Sequence, residues 1–558
     1  MAIWYGILFI GLAINLFAKS KALIKLNTIV FAILFLAALV FNLINVFYYP
    51  TSKNIAGVEL FTMIGGQEWG IIFSYITHYW YLILVAVLLL YGAVKLFLFI
   101  TLEFKNRIKI GFVLMSLGLL FGFARGTFTL KPLNSMNAFE VLPANGAKTA
   151  ITPLYVLLES YGKKPLEELN YFPEDEILAS LQQNRITLPS LGSNKPNICI
   201  ILLESFGKEY TGLNKGKGSS YTPFLDSLMD ESLNFTNAYA NGLRSMDAVA
   251  SIYAGIPSLM DQSFVGSLYT GNNINSLFNQ LKELGYLNTF YHAADEQSMG
   301  FKSFLTAQGL DRYVANQQYP NSDDFDGTWG IFDEPFLQFY ANELGNMKQP
   351  WCSSIFTLSS HHPYAVPKKY NKLKKGTLPI HRAVRYSDIA LRNFFIEART
   401  QPWFSNTVFV LTADHSSVNK NKRYKTHRGS YEVPLLVYAP SLFEPEIITK
   451  PVQHLDLYPT VLQLAGMKDS VFALGKSLLD SNYAPIVHYE GNRYCLTDSS
   501  YALEMVGKRK FKLYNYKEDP NYRYNLSRKN SALKEAMENK LKLNIQKFNY
   551  SIINNHFY

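Results

Sequence analysis

The sequence predicts an α/β protein with two unlike parts, apolar helices at the N-terminus followed by a domain in which strands alternate with helices. Three observations carry this. Residues 1 to about 130 are overwhelmingly apolar and aromatic, while the rest has the composition of a soluble domain. After Lys195, short apolar runs alternate with amphipathic stretches, the pattern of βαβ units. Most of those runs stop on an acid or a histidine, at the strand ends where open α/β sheets place their ligands.

A chain of 558 residues is too long for one ordinary domain and ample for a large core. Its formal charge of +10 favours anionic surroundings such as lipid headgroups or phosphate-bearing substrates. The basic residues are scattered and form no block interleaved with aromatics, so nucleic acid is not an expected partner. Cys199, Cys352 and Cys495 are far apart and odd in number, which gives neither a disulfide framework nor a zinc spacing. Cys199 and Cys352 lie in strand-like runs and read as small core residues. No repeat or low-complexity tract is present.

Taken in order, four apolar segments open the chain: Ala2–Ala18, Thr28–Tyr49, Tyr79–Thr101 and Ile108–Phe123. Each approaches the length needed to cross a hydrocarbon layer of ~30 Å, the fourth being the shortest. The first has no basic start and no small-residue cleavage site, so it is not read as a signal peptide. Lys19, Lys21 and Lys25 separate the first pair, and Lys105, Arg107 and Lys109 the last. The intervening loop has Lys53 offset by Glu59 and Glu68. The positive-inside rule puts the two basic loops in the cytoplasm. A multi-pass protein of the cell (inner or cytoplasmic) membrane follows, with everything after about residue 125 extracytoplasmic. The expected domains are 1–130 in the membrane, a connector over 131–195 along its surface, a sheet domain over 196–500, and a closing hairpin and helix over 501–558. The connector carries a helix-like piece, Pro153–Gly162.

Within the sheet domain, Asn197–Leu203 ends at Glu204, and Asn288–Tyr291 at His292. Trp351–Leu358 runs into Ser359-Ser360-His361-His362, and Thr407–Thr412 into Asp414-His415. Pro434–Tyr438 alone lacks such an ending. The stretch from Leu513 to Pro520 reads as a hairpin, followed by the amphipathic helix Ser531–Phe548.

Glu204, Asp414 and His415 offer hard and borderline ligands for one divalent cation, with the Ser245 oxygen completing the shell. A mixed O/N set suits Mn²⁺ or Zn²⁺ better than Ca²⁺. Ser245 reads as the N-cap of a short helix, Ala248–Ala254, closed by Gly255 and Pro257. The hydroxyl at that positive helix end suits either a simple cap or an oxygen nucleophile attacking phosphate. Glu204 alone would equally be a strand-end carboxylate paired to a surface lysine. His361 and His292 are candidates to hold phosphate or protonate a leaving group, with a hydrogen-bonded core histidine as the other reading of each. His362 is read as a neighbour. His427 is either an acid or substrate contact or part of a solvated basic loop. Arg244 either steadies an anionic substrate or sits on the surface.

Asn197–Glu204, Thr222-Pro-Phe-Leu-Asp-Ser-Leu228, Leu233-Asn-Phe-Thr-Asn-Ala-Tyr239, Leu358-Ser-Ser-His-His-Pro-Tyr364 and Thr412-Ala-Asp-His415 together resemble the sulfatase-like branch of the alkaline phosphatase superfamily. With the membrane segments, the chain is similar to the lipoteichoic acid synthase and periplasmic phosphoglycerol transferase proteins. The resemblance implies an alkaline-phosphatase-like mixed sheet sandwiched by helices. It implies a metal held by Glu204, Ser245, Asp414 and His415, Ser245 as nucleophile where those synthases have threonine, and His361 at the substrate site. Two departures stand out. The tryptophan and arginine that grip the phosphoglycerol headgroup in the synthases match Met299 and Phe301 here, and four membrane segments replace the usual five. The modified residue of a true sulfatase sits in C/S-x-P/A-x-R, which Ser245-Met-Asp-Ala-Val does not fit.

The expected protein is a membrane-anchored, metal-dependent transferase. It moves a phosphoglycerol-type group from a phospholipid donor to an extracytoplasmic glycan or polymer through a covalent seryl intermediate. Its expected cofactor is one divalent ion, Mn²⁺ ahead of Zn²⁺ or Mg²⁺. The alternatives are a phosphodiesterase or phosphatase, a phosphoethanolamine transferase, and a catalytically silent lipid- or glycan-binding sensor.

Overall fold

Long unbroken runs of Leu, Ile, Val, Phe and Ala make the N-terminal segments helical in the structure, a computed structural model. It describes residues 2–18, 20–52, 77, 80–103, 109–125, 137–142, 147, 151–160, 165–189, 191, 195–212 and 220–557. The chain divides into two units, Met1–Pro165 and Leu166–Tyr558.

In the first unit, α1 (Ala2–Phe17), α2 (Lys21–Ser52), α3 (Trp80–Glu103) and α4 (Lys109–Arg125) cover the four apolar segments. Phe31 of α2 stacks on Phe97 of α3 at 4.2 Å, with Leu12 of α1 in the same buried cluster. Gly11 permits that approach, because a Cβ there would lie 2.8 Å from the Phe97 ring. Asn27, buried beside this cluster, donates through its amide to the Gly11 carbonyl and to Asn15 Oδ1, both at 2.7 Å. Leu84, Leu88 and Phe99 are exposed on α3, an apolar surface that suits lipid contact. Among the described residues, two helices are long and apolar enough to cross a membrane, Lys21–Ile44 and Trp80–Phe99. Among the described residues, two of the four crossings expected from sequence therefore meet that length. α1 and α4 have 16 and 17 residues, about 24–26 Å at 1.5 Å per residue, which falls short of ~30 Å. Of the charges used for orientation, Lys21, Lys25 and Lys109 lie within helices, while Lys19, Lys53, Glu59, Glu68, Lys105 and Arg107 lie outside the described residues. The helix-like piece of the connector is helical over Pro153–Ser160.

The second unit is built on an eight-stranded mixed sheet. Its strands in chain order are β1 (Asn197–Leu203), β2 (Leu233–Phe235), β3 (Leu287–His292), β4 (Arg312–Val314), β5 (Trp351–Phe356), β6 (Thr407–Ala413), β7 (Leu435–Tyr438) and β8 (Glu446–Ile448). Across the sheet the order is β8-β2-β7-β6-β1-β5-β3-β4. β1 lies at its centre, fully buried and parallel to both β5 and β6, as its continuous β-branched run requires. β3 is parallel to β5, whereas β7 runs antiparallel to β6 and β2. The carboxyl ends of β1, β3, β5 and β6 thus share one edge.

Alternate residues of β1 face opposite layers. Cys199, Ile201 and Leu203 pack in one core with Phe336, Leu337 and Tyr340 of a helix at Asp333–Gly345 and with Leu391, Phe394 and Phe395 of another at His381–Ala398. On the opposite layer, Tyr253 of the helix Ser245–Ala254 meets Phe290 of β3 at 5.7 Å. The three cysteines are buried and free.

β5 ends two residues before the expected Leu358, because Asp333 Oδ1 takes the Leu358 and Ser359 N–H groups at 2.7 and 3.0 Å. Beyond the sheet, an antiparallel four-stranded sheet comprises β9 (Ile486–Glu490), β10 (Arg493–Thr497), β11 (Tyr501–Val506) and β12 (Lys510–Asn515). Gly491 and Asn492, at φ 54° and 66°, make the tight turn between β9 and β10. Leu513 belongs to the last of these strands, so the closing hairpin lies upstream of its expected place. Pro520, with no N–H to offer, cannot extend a ladder. The terminal helix runs over Ser531–Ile553.

Candidate active site and metal centre

The shared strand edge brings Glu204, Asp414 and His415 together, with one ligand atom from each all lying within 4.8 Å of one another. Glu204 follows β1 directly and Asp414 follows β6, and these strands pair at Leu203 and Ala413. Both carboxylates are fully buried. Glu204 Oε1 accepts from the Ser205 hydroxyl at 2.6 Å, and its backbone N–H donates to Thr357 Oγ1 at 2.9 Å. The Ser360 hydroxyl donates to the Glu204 carbonyl at 2.5 Å. Asp414 Oδ1 accepts two backbone N–H groups, Ser205 at 2.7 Å and His415 at 2.8 Å. Holding Glu204 and Asp414 face to face forces Ser205 into the left-handed region at φ 58°, where a non-glycine residue is strained.

His415 Nδ1–H donates to the Ser416 carbonyl at 2.7 Å, which leaves the Nε2 lone pair facing Asp414 Oδ2 at 3.2 Å and Glu204 Oε1 at 3.9 Å. Asp414 Oδ2 is buried and has no hydrogen-bond partner. Burial and the neighbouring Asp414 push the Glu204 carboxyl up to about 8. Burial works against a charged His415, but Asp414 and Glu204 outweigh it and raise its imidazole. Lone-pair atoms converging on one point with an orphaned carboxylate oxygen fit a divalent cation, since only positive charge relieves their mutual repulsion.

Ser245 is the first residue of its helix, and Arg244 is the N-cap. This corrects the expected cap assignment: the Ser245 side chain makes no capping bond and turns instead to the cluster. Its hydroxyl donates to Glu204 Oε2 at 3.4 Å and lies 3.5 Å from His415 Nε2. Gly255 closes the helix at φ 64°, as expected. Arg244 is pinned through Nε and an Nη to Asp247 at 3.0 and 3.3 Å, and it also donates to the Asp261 carbonyl at 3.0 Å.

The histidines divide. His361 is half-buried on the rim, edge-on to Trp329 at 4.7 Å, and its Nδ1–H donates to the His362 carbonyl at 2.9 Å. His292 is sealed inside β3, bonded to the Tyr313 hydroxyl at 3.0 Å and stacked on Phe356 at 5.3 Å, and burial lowers it to about 3. It is a core histidine, neutral at physiological pH. His427 is no solvated loop residue. It is buried, neither ring nitrogen has a hydrogen-bond partner, and burial with Arg493 nearby lowers it to about 4. Glu490 Oε2 lies 4.0 Å from its Nε2. Phe301 is fully buried against His292 and Phe356, and Met299 takes a left-handed conformation at φ 56°.

Sequence reasoning missed Ser205, Thr357, Ser360 and Trp329, which shape the site around the expected ligands. It also missed Glu432, buried between Lys208, Arg423 and Arg428 at 3.1, 2.8 and 2.7 Å. A single acid closing the basic run Lys420–Arg428 was the available signal. The backbone N–H of Lys208 also donates to the Glu432 carbonyl at 3.1 Å, which ties the turn after Glu204 to the loop after His415.

Comparison with known proteins accounts for this architecture: residues 196–467 match the family described as Sulfatase. That match spans just under half of this chain. Its structure is similar to a protein of the alkaline phosphatase superfamily from Vibrio parahaemolyticus, with TM-score 0.62 and 23% identity over 69% of this chain and 97% of that one. It is also similar to the lipoteichoic acid synthase LtaP from Listeria monocytogenes, with TM-score 0.52 and 20% identity over 65% and 98%. These likenesses bear out the expected alkaline-phosphatase-like mixed sheet. Among curated sequences, the lipoteichoic acid synthase-like YvgJ of Bacillus subtilis is 23% identical over 55% of this chain and 53% of its own length. Lipoteichoic acid synthase 1 of the same organism is 26% identical over 53% and 50%. The chain thus spans about half the length of the curated relatives it matches.

Proposed function

We propose that this protein is a membrane-anchored, metal-dependent transferase that moves a phosphate-linked alcohol from a phospholipid headgroup to an extracytoplasmic glycan or polymer. The observation that carries the reading is the Ser245 hydroxyl, held at a helix start between Glu204 Oε2 and His415 Nε2 with no cap to make. Similarity to lipoteichoic acid synthases supports the reaction class.

Glu204, Ser245, Asp414 and His415 would hold one divalent cation, Mn²⁺ ahead of Zn²⁺ or Mg²⁺. When bound, that ion acidifies the seryl hydroxyl and screens phosphoryl oxygens. In the first displacement Ser245 Oγ bonds to phosphorus, and the bond from phosphorus to the lipid alcohol breaks. His361 commits its Nδ1–H to the His362 carbonyl, which leaves Nε2 as the nitrogen to supply the proton to the departing alkoxide. Arg244, oriented by Asp247, faces the phosphoryl oxygens. In the second displacement an acceptor hydroxyl gives its proton to His361 Nε2 and bonds to phosphorus, and Ser245 Oγ is released. His427, buried like His292, supports the site from within the core rather than by direct contact.

Met299 and Phe301 favour a transferred alcohol other than glycerol. An arginine at the buried Phe301 position would be a desolvated charge rather than a headgroup clamp.

Intact-mass analysis after incubation with mixed phospholipids tests the reading. The wild type should gain a headgroup-sized adduct on the Ser245 peptide, Ser245→Thr should turn over, and Ser245→Ala should show neither adduct nor activity while staying folded. Turnover by Ser245→Ala would end the covalent mechanism. A wild type without adduct or turnover on any phospholipid would favour the sensor.

A further inference from the structure

Beside the catalytic edge, the structure holds a cavity of about 860 Å³ between residues 323–327 and residues 365–369. The first of these segments belongs to a loop that is fixed in shape. Asp326 Oδ1 accepts the N–H groups of Thr328, Trp329 and Gly330 at 2.7, 2.7 and 3.2 Å, and the Asp326 N–H donates to the Gly330 carbonyl at 2.8 Å. Gly330 is clamped against the chain just past β3, where a Cβ would meet the Ala293 carbonyl oxygen at 2.0 Å.

The same loop reaches the catalytic rim. Trp329 stands edge-on to His361, and its indole N–H donates to the His362 carbonyl at 2.7 Å. One side of the loop therefore lines the cavity while its next residues touch the histidine assigned to proton transfer. An occupant of the cavity would extend toward the reacting centre past Trp329.

The lining states what that occupant is. Asp323, Asp324, Asp326 and Glu334 contribute four carboxylates, against the cations Lys368, Lys369 and Arg382. Lys369 is already engaged by Glu334 at 2.7 Å. A polyphosphate chain would meet carboxylates along the loop that leads to the catalytic rim, and like charges at close range disfavour it. Phe325 and Trp329 meanwhile keep 43% and 39% of their surface exposed. Exposed aromatic faces among hydrogen-bonding carboxylates suit the apolar faces and hydroxyls of sugar rings, and they suit an ammonium group equally well.

We infer that this cleft is the acceptor subsite and that it takes a saccharide without phosphate groups, uncharged or amine-bearing. The inference rests on the transferase reading for its role in the reaction, but not for the binding itself.

The test uses full-length protein in detergent and titration calorimetry with three probes: a β-1,4-linked glucosamine tetramer, its N-acetylated counterpart, and inorganic polyphosphate. At least one tetrasaccharide should bind, and polyphosphate should not displace it. Phe325→Ala and Asp323→Ala, both at exposed positions, should each weaken saccharide binding at least tenfold while leaving formation of the Ser245 adduct from phospholipid unchanged. Adduct formation without saccharide binding overturns the subsite, as does binding equally strong in both variants or abolished by polyphosphate. Saccharide binding that depends on Phe325, in a protein that never forms the adduct, leaves the cleft standing and refutes the transferase instead.

Discussion

Replacing Glu432 by Gln should be among the most damaging single changes outside the catalytic edge. The carboxylate is fully buried and serves Lys208, Arg423 and Arg428 together. Burial alone would raise its pKa, but Arg428, Lys208 and Arg423 outweigh burial and hold it well below the ordinary 4.5. A neutral amide in its place would leave the three cations facing one another, two of them, Lys208 and Arg428, almost wholly shielded from water. Breaking a buried ion pair from one side costs about 3–5 kcal/mol. Against a typical total stability of about 5–15 kcal/mol, that is at least about a fifth of what holds a domain folded. Urea unfolding of the full chain in detergent, followed by near-ultraviolet circular dichroism, reads the loss. Because the folded-state pKa is depressed, the carboxylate's contribution is fully present above the ordinary glutamate value and is lost as pH falls through the folded one. The gap between wild type and Glu432→Gln should therefore close in acid. Burial already holds Lys208 below its ordinary 10.5, so without Glu432 it sheds its proton more readily, and the variant's deficit should also shrink as pH rises into the alkaline range. Adding Lys208→Met should restore part of the loss. A Glu432→Gln protein within 1 kcal/mol of wild type at neutral pH, on the ~3–5 kcal/mol scale of buried pairs, would refute the argument.

Three further outcomes follow from the geometry. Asp414→Ala should strip most of one tightly held divalent ion per chain, read by elemental analysis after dialysis; full occupancy would mean the ligands are misassigned. Ser205→Gly relieves a left-handed strain of about 1–2 kcal/mol and loses one hydrogen bond of about 1 kcal/mol, so its urea midpoint should stay near wild type, whereas Ser205→Val should fall clearly below it. Gly330→Ala drives a methyl into the Ala293 carbonyl, and thermal unfolding should show a loss of about 1–3 kcal/mol or more together with altered Trp329 fluorescence.

The sheet was legible because its strands are short, β-branched and bounded by breakers, and because side chains at strand exits show directly in a linear sequence. Glu204, Asp414 and His415 could be read for that reason. The Ser245 cap assignment failed by one residue, since Arg244 takes an extended backbone that propensity does not reveal. Strand exit alone could not place His292, because whether a terminal histidine points out or is sealed depends on Tyr313 and Phe356, which arrive from other strands. Among the described residues the membrane count fell to two by length, because apolar composition identifies a helix more readily than it measures one. The Glu432 cluster joins Lys208 to residues more than 200 positions away, and no local pattern encodes such a pairing.

The two oxygens of Asp414 divide their labour. Oδ1 is bound to the Ser205 and His415 amides, and Oδ2 is left bare. Peptide groups, not a cation, therefore set the spacing between the ends of β1 and β6. A cation proposed for this site would therefore enter a frame whose shape the backbone already holds, and its removal should leave the scaffold folded.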